Sequence, residues 1–440
     1  MPSTVSENST AFRNIFSSIK SNLPALLLIS VFFLFISKSL YNIPIGIMAF
    51  LGAWRCVTHY KKIWEDSVTR TFIILFSCLW IPLFISFIDS VNHARSSQTV
   101  FPYLRFLFFG IYILDEIKTP RMLNQINTAV FFIIAFWCID ALIQLLFGID
   151  LFGYPYRAGD ITGMFYPGNT IAHVTACLSP LYFEEIRKRM DKLPWSWLLI
   201  IPLIAVILVS GRRAAWIMLA VSMIGYLFYL YKISSFNSFP FRKTSGLAVI
   251  FITTVILVIY TNSPLQDRLK NTMELFSGDY EKINLATARR LPIWKTALTM
   301  FRENWINGAG PRAFRYAYVD YSEPGDFWVT SGGVHPTTHP HQIILEVLSE
   351  TGTIGAVGVI LFIVVFTRQF RDRHLLIKSF PVLLAVLVAV FPVNTHMAFY
   401  GSYWASVFWW VLGLVFLTYT YSASPSAGEG PGHKQRGNSS

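Results

Sequence analysis

Residues 126–147 read INTAVFFIIAFWCIDALIQLLF, a mostly apolar run that holds one acid, Asp140, and no basic residue. A helix that crosses the hydrocarbon core of a bilayer needs about 20 such residues. Working outward, comparable runs lie near 20–37, 41–57, 71–88, 100–114, 161–182, 196–211, 214–231, 245–261, 343–366, 376–393 and 402–420. That gives twelve predicted spans. The run at 100–114 is short and contains Arg105. The run at 161–182 is polar, with Thr170, His173 and Thr175. Composition agrees with the pattern: 54% of the 440 residues are hydrophobic, 16% are aromatic and only 14% are charged. Soluble domains carry roughly a quarter charged residues. Mean hydropathy is +0.49. These values exclude a soluble enzyme, a disordered chain and a collagen-like fibre. The expected fold is all-α, a polytopic membrane protein of about 12 transmembrane helices with one large loop containing short helices.

The formal net charge of +12 is a question of sidedness before it is one of partners. Lys61, Lys62 and Arg70 follow the second run, and Arg187, Lys188, Arg189 and Lys192 follow the sixth. Arg368, Arg371, Arg373 and Lys378 follow the tenth. The short odd-numbered connections carry only Lys38, Arg95, Arg157, Arg212 and Arg213. This is the positive-inside pattern, and it predicts cytoplasmic termini and an external 262–342. No nucleic-acid partner is implied. The expected divisions are a cytoplasmic N-terminus at 1–19, spans one to nine in 20–261, the external loop at 262–342, spans ten to twelve in 343–420, and a disordered Ser/Gly/Pro-rich tail at 421–440. The N-terminus is polar and shows no cleavage site, so no cleavable signal peptide is expected. Cys56, Cys78, Cys138 and Cys177 lie in or beside apolar runs, which suggests neither a disulfide framework nor a thiolate metal site.

A segment as long as 262–342 is more than a connector. Residues 264–277 predict a short helix with Leu265, Leu269, Met273 and Phe276 on one face. Residues 290–305 predict a second, with Trp294, Leu298, Phe301 and Trp305 recurring at helical spacing as a small core. Pro292 fits only a first turn, which puts Arg289 and Arg290 at the start. NGAGPRAF (307–314) then breaks the helix, and HPTTHPHQ (335–342) closes the segment. Pro340 suits a first helical position, so His339 is the expected cap and His341 is expected in the first turn. The positive end of a helix disfavours imidazolium and attracts anions, so His341 is read as a neutral base beside a phosphate site. Arg157, Arg212 and Arg213 add cations on the same side, and Arg matches phosphate oxygens with its planar fork. Arg105, costly inside a span, is a further functional candidate, or else a partner of Asp89 or Asp115.

These residues resemble the bacterial O-antigen ligase and polymerase superfamily. His341-Gln342, nine residues, then Gly352-Thr-Ile-Gly355 is similar to the family's His-[Asn/Ser/Gln]-x9-Gly-x-x-Gly pattern. Arg213-Ala-Ala-Trp216 resembles its Arg-x-x-Trp element. Arg290-Leu-Pro-Ile-Trp294 followed by Gly308-Ala-Gly310 resembles its second arginine element and Gly-x-Gly turn. The resemblance implies a glycosyltransferase C-like membrane fold in the bacterial inner membrane. It also implies transfer of a glycan from undecaprenyl diphosphate onto lipid A–core oligosaccharide at the periplasmic face, without metal or other cofactor. Within the family, the chain looks most like the ligases. The resemblance assigns the base to His341, with His339 as its alternative. The diphosphate clamps fall to Arg213 and Arg290, with Arg212 and Arg289 adjoining and Arg157 and Arg105 as further candidates. The chain has no Asp-x-Asp motif, so a nucleotide-sugar enzyme using that motif is not indicated. His335, His339 and His341 have neither a cysteine nor a tightly spaced acid nearby, which argues against zinc.

Other residues carry quieter readings. Glu346 and Glu350 either orient a histidine, bind the cationic site, cap the helix or face the interface. Gly352, Gly355 and Gly358 share a helix face, which suggests close packing. Trp328 and Tyr321 are candidates for stacking on a sugar, and His173 and His396 are read as structural. The rivals are an O-antigen polymerase, a protein O-oligosaccharyltransferase and, in another class, a lipid-linked glycan transporter. A transporter should show repeats with broken helices at matching positions, and none is visible.

Overall fold

A computed structural model describes residues 21–157, 160–234, 241–331, 337–391 and 397–423. The N-terminal segment 1–19, the tail beyond 423, His335 and His396 lie outside the described residues. The order is α1 Ser21–Ile36, α2 Asn42–Thr58, α3 Tyr60–Glu65, α4 Ser67–Phe87, α5 His93–Tyr103, α6 Arg105–Glu116, α7 Pro120–Phe147, α8 Ile171–Arg189 and α9 Ile200–Val209. Then come α10 Arg213–Ser234, α11 Phe241–Thr261, α12 Ser263–Met273, α13 Tyr280–Ala286, α14 Arg290–Glu303, α15 Phe314–Tyr321, α16 Phe327–Thr330, α17 Ile343–Gln369, α18 Arg373–Ala389 and α19 Ser402–Ala423. No strand occurs among the described residues; two isolated bridges lie in the loop between α7 and α8.

Each of the twelve apolar runs contains a helix, but they are unequal. Among the described residues six helices are long and apolar enough to cross a membrane: Ser67–Phe87, His93–Glu116, Pro120–Phe147, Arg213–Ile233, Ile343–Gln369 and Ser402–Ser422. A seventh is reached if Val249–Thr261 and Ser263–Phe276, bent by 100°, form one broken span. The remaining runs form shorter or more polar helices, among them Ser21–Ile36 and Pro194–Val209. The fourth run begins at His93 rather than near 100, because Asn92 caps α5 by accepting from Arg95 N at 2.9 Å. Its polar residues Ser96 and Thr99 turn inward and are buried.

The sixth run starts ten residues later than its hydropathy suggests, at Ile171. Residues 161–170 form a loop instead. Gln144 Oε1 accepts from Thr162 N and Gly163 N, both at 2.9 Å, and Asp140 accepts from Leu151 N and Met164 N. Asp140 and Gln144 of the opening stretch therefore hold down the loop between α7 and α8. All of Ile171–Ile186 is buried. α8 is thus an internal helix, packed by α7, α9, α10 and α18. Its Thr175 and Ser179 hydroxyls donate back to backbone carbonyls. That arrangement satisfies polar groups where no water can.

One large core joins the long helices, with Trp137, Trp404, Trp409 and Trp410 among its fully buried side chains. A separate small core lies between α14 and α15, built from Ile293, Ala297, Met300, Ala309, Phe314, Ala317 and Tyr318. It corrects the expected stripe: Leu298 of α14 and Trp305 just beyond it are exposed, while the smaller residues beside them face inward. Met273 and Phe276 are likewise exposed; of their predicted face Leu265 is buried.

Candidate functional site

The turn after α14 is locked into α17. Gly352 interrupts α17 with φ 60° and ψ −156°, a conformation open essentially only to glycine. The break frees backbone groups, and residues 305–310 take them up. Thr353 N donates to Trp305 O at 2.8 Å and Ile354 N to Ile306 O at 3.0 Å. In return Ala309 N donates to Ser349 O at 2.8 Å and Gly310 N to Glu350 O at 3.0 Å. A Cβ on Gly308 would stand 2.4 Å from the carbonyl carbon of Glu350. The Gly-x-Gly and Gly-x-x-Gly elements are therefore two sides of one joint. Gly358 serves packing: a Cβ there would meet Cys78 O of α4 at 2.3 Å.

The histidines sit just ahead of this helix, and here the expected register shifts. α17 begins at Ile343, and its cap is Gln342, whose Oε1 accepts from Leu345 N at 2.6 Å. His339 is not the cap and His341 is not in the first turn. His341 adopts φ 55°, a left-handed conformation that cannot continue into a helix. The two rings pack tilted at 47°, with centroids 4.0 Å apart. His339 is buried, with its Nδ1 2.8 Å from Thr338 Oγ1, whereas His341 is half-buried. Trp294, one turn into α14, donates its indole N–H to Pro340 O at 3.1 Å. That bond ties the start of α14 to the histidine turn.

The start of α14 carries the first cation. Ala288 and Arg289 both have positive φ, at 59° and 57°, so the chain doubles back before Arg290. Arg289 N donates to Asn284 O at 2.6 Å, and Arg289 O accepts from Trp328 Nε1 at 2.7 Å. The Arg289 guanidinium lies over the Phe327 ring, 4.2 Å from its centroid. Arg290 points elsewhere, toward Arg213 and Arg212. Burial first, then the positive charges of those two residues, pushes Arg290 down to about 10. Among the described residues no carboxylate pairs with Arg290 or Arg213. Arg213 instead donates to Ala286 O. Arg212 pairs with Asp160 at 2.9 Å, and Asp160 also accepts from Asn169 Nδ2. Arg157 belongs to the same loop through its backbone, since Asp160 N donates to Arg157 O at 2.8 Å. Its side chain is turned onto Tyr166, donating to the hydroxyl at 2.9 Å.

Arg268 went unnoticed in the sequence. It lies on α12 and donates to Gly211 O at 2.8 Å, flat against the turn that carries Arg212 and Arg213. A Cβ on Gly211 would stand 2.4 Å from the Arg268 guanidinium carbon, so the Ser-Gly turn before Arg212 exists to admit this cation. The only sequence signal was that glycine. The structure thus gathers Arg212, Arg213, Arg268 and Arg290, with Arg157 adjoining.

Arg105 is not among them. It pairs with neither Asp89 nor Asp115: Asp115 is held by Lys62 at 2.6 Å, and Asp89 accepts from Asn307. Arg105 donates to Ser402 Oγ at 2.7 Å and lines a different cavity with Arg95 and Arg312. Glu346 and Glu350 are fully buried and neither cap nor face the interface. Glu346 accepts from Phe399 N and Tyr400 N at 2.9 and 3.1 Å, and Glu350 accepts from Arg312 N at 2.6 Å. Trp328 and Tyr321 pack on the small core and use their polar atoms internally, Tyr321 accepting from Asn304 at 2.8 Å.

This arrangement can hold an anionic group with several phosphate oxygens, next to a pair of imidazoles. A comparison with curated proteins found no match. The arginine turn, the start of α14, the histidine turn and the Gly352 joint all lie within one stretch, and over that stretch, residues 198–360, the chain matches the family model described as O-antigen ligase.

Proposed function

We propose that this chain is a membrane glycosyltransferase that moves O-antigen glycan from undecaprenyl diphosphate onto a sugar hydroxyl of lipid A–core. The observation that carries the reading is the convergence of Arg212, Arg213 and Arg290, two of them without a carboxylate, on a segment tied by Trp294 to the His339–His341 turn. The distribution of Lys and Arg along the chain supports cytoplasmic termini and a periplasmic site in the inner membrane.

In this reading the arginines receive the donor diphosphate. Their charge stabilises the negative charge that builds on the leaving group, and fixed cations in a partly buried site do this efficiently. The acceptor hydroxyl is a weak nucleophile. A histidine of the 339–341 turn takes its proton as the oxygen attacks the anomeric carbon from the face opposite the diphosphate. The carbon–oxygen bond to phosphate breaks, the electron pair leaves with the lipid diphosphate, and the configuration inverts. General-base assistance of this kind contributes roughly 10²–10⁴-fold. His341, half-buried and outside the helix, is the better placed for access, and His339 backs its ring.

The same site serves an O-antigen polymerase, with a second lipid-linked repeat as acceptor. The separating experiment uses purified chain with undecaprenyl-diphosphate-linked glycan, and lipid A–core present or absent. Glycan on lipid A–core supports the ligase. Elongated lipid-linked product with no transfer to core establishes the polymerase instead. No transfer to either acceptor refutes both the ligase and the polymerase.

A further inference from the structure

A second group of arginines lies apart from the site described above. Arg95 on α5, Arg105 at the start of α6 and Arg312 in the turn before α15 line one polar cavity of about 100 Å³, with Gln98, Tyr400 and Ser402. A water needs roughly 10–15 Å³ of such space, so the cavity has room for a single phosphate-sized group. The Nε of all three guanidiniums is buried and has no acceptor among the described residues. Arg312 is only 6% exposed.

The charges here are unevenly answered. Arg312 has Glu346 Oε1 at 3.7 Å from its Nη1, and its backbone N donates to Glu350. Glu350 also feels Arg95 through space, without forming an ion pair with it. Arg105 has the Ser402 hydroxyl and no carboxylate. Arg315, outside the spans, has its pKa lowered by burial and then by the charges of Arg312 and Arg95. Cations therefore outnumber the two glutamates around this cavity. An arginine inside a span is costly unless it faces a partner or a polar cavity, and Arg105 faces this one. Planar guanidiniums converging on a small space match the oxygens of a phosphate.

We propose that this cavity is a second anion site, which binds a phosphate group carried on the headgroup of a membrane lipid. It rests on the function proposed above in one respect: the donor diphosphate is assigned to Arg212, Arg213 and Arg290, which leaves this cavity for a phosphate of the acceptor lipid. Two phosphate sites on one chain are what a transferase needs when both of its substrates are phosphorylated lipids.

The test is a binding titration of the purified full chain in neutral detergent, followed by melting temperature. The probes are inorganic phosphate and short-chain phosphatidic acid. The background is Arg213→Gln/Arg290→Gln, which removes two of the four cations of the other cluster. Phosphatidic acid should still stabilise that background. Adding Arg95→Gln/Arg105→Gln should weaken the binding at least about tenfold, the effect of losing a hydrogen bond to a charged group. Arg95→Gln alone, at a half-buried position, should give a partial loss. Stabilisation by both probes shows that the phosphate alone suffices, and stabilisation by phosphatidic acid alone assigns the lipid headgroup. The proposal is overturned if neither probe stabilises the background, or if Arg95→Gln/Arg105→Gln leaves the affinity unchanged. Because the readout is binding, a chain that failed to transfer glycan would refute the proposed function and leave this result standing.

Discussion

The two arginine clusters differ in what lies beneath them. Around Arg95, Arg105 and Arg312 the support is buried carboxylate: Glu346 and Glu350 project from α17 and fix the Arg312 turn. Around Arg213 and Arg290 the support is backbone: Ala286 O, the Gly211 turn and the strained residues before α14. A cation backed by carboxylates is partly neutralised and suits holding a charge. Cations crowded against one another, with no carboxylate on two of them, keep their field for a group that arrives. The second cluster also has imidazoles attached through Trp294 and Pro340. Under the proposed function, chemistry would belong to the Arg213 and Arg290 cluster and retention to the other.

The largest effect that would test this division is at the histidines. His341→Ala should lower transfer about 10²–10⁴-fold with donor binding retained, as measured by single-turnover assay and by donor titration. His339→Ala should lower it less, because His339 is buried behind its neighbour. Full activity in both variants would remove the base from the mechanism. Arg290→Ala should reduce kcat about 10²–10³-fold. In the unsubstituted protein kcat/KM should fall as pH rises through about 10, where Arg290 loses its proton and its charge. A fall of similar size in kcat for Arg105→Ala would erase the distinction between the clusters.

Gly352→Ala tests the joint that both clusters share. Its Cβ would meet the backbone of Ile306 at 2.5 Å, and φ is 60°. The variant should lose about 1–3 kcal/mol of stability, with lower transfer and weaker phosphatidic acid binding, as read by denaturation, by transfer and by titration. The smallest effect is expected for Trp294→Phe. It removes the 3.1 Å bond to Pro340 O, worth about 0.5–1.5 kcal/mol. A several-fold loss of kcat with unchanged donor binding would show that this bond positions the histidine turn.

Much of this was legible in residue order. Hydropathy found each long helix, since a span must be apolar over about 20 residues wherever it packs. It placed the start of α8 ten residues too early, because residues 161–170 count as part of the run yet are held in a loop by Asp140 and Gln144. The stripe was misread because Leu298 and Trp305 are exposed and Trp294 and Phe301 only half-buried, while the small core is made of Ile293, Ala297 and Met300. The cap of α17 was misplaced by the appeal of Pro340. Gln342 wins because its side chain reaches Leu345 N, while His341 has turned left-handed.

The order of residues by itself determined that this is a helical membrane protein, which stretch of it resembles the O-antigen ligases, and which arginines and histidines stand in that stretch. Those properties are local: an apolar run, a glycine spacing, a residue type. Tertiary structure alone decided that Arg290 rather than Arg289 faces Arg213, that Arg268 joins them, and that Arg105 belongs to a different cavity. Each of those depends on residues far apart in the chain being brought together, and charge acts through space, not along sequence.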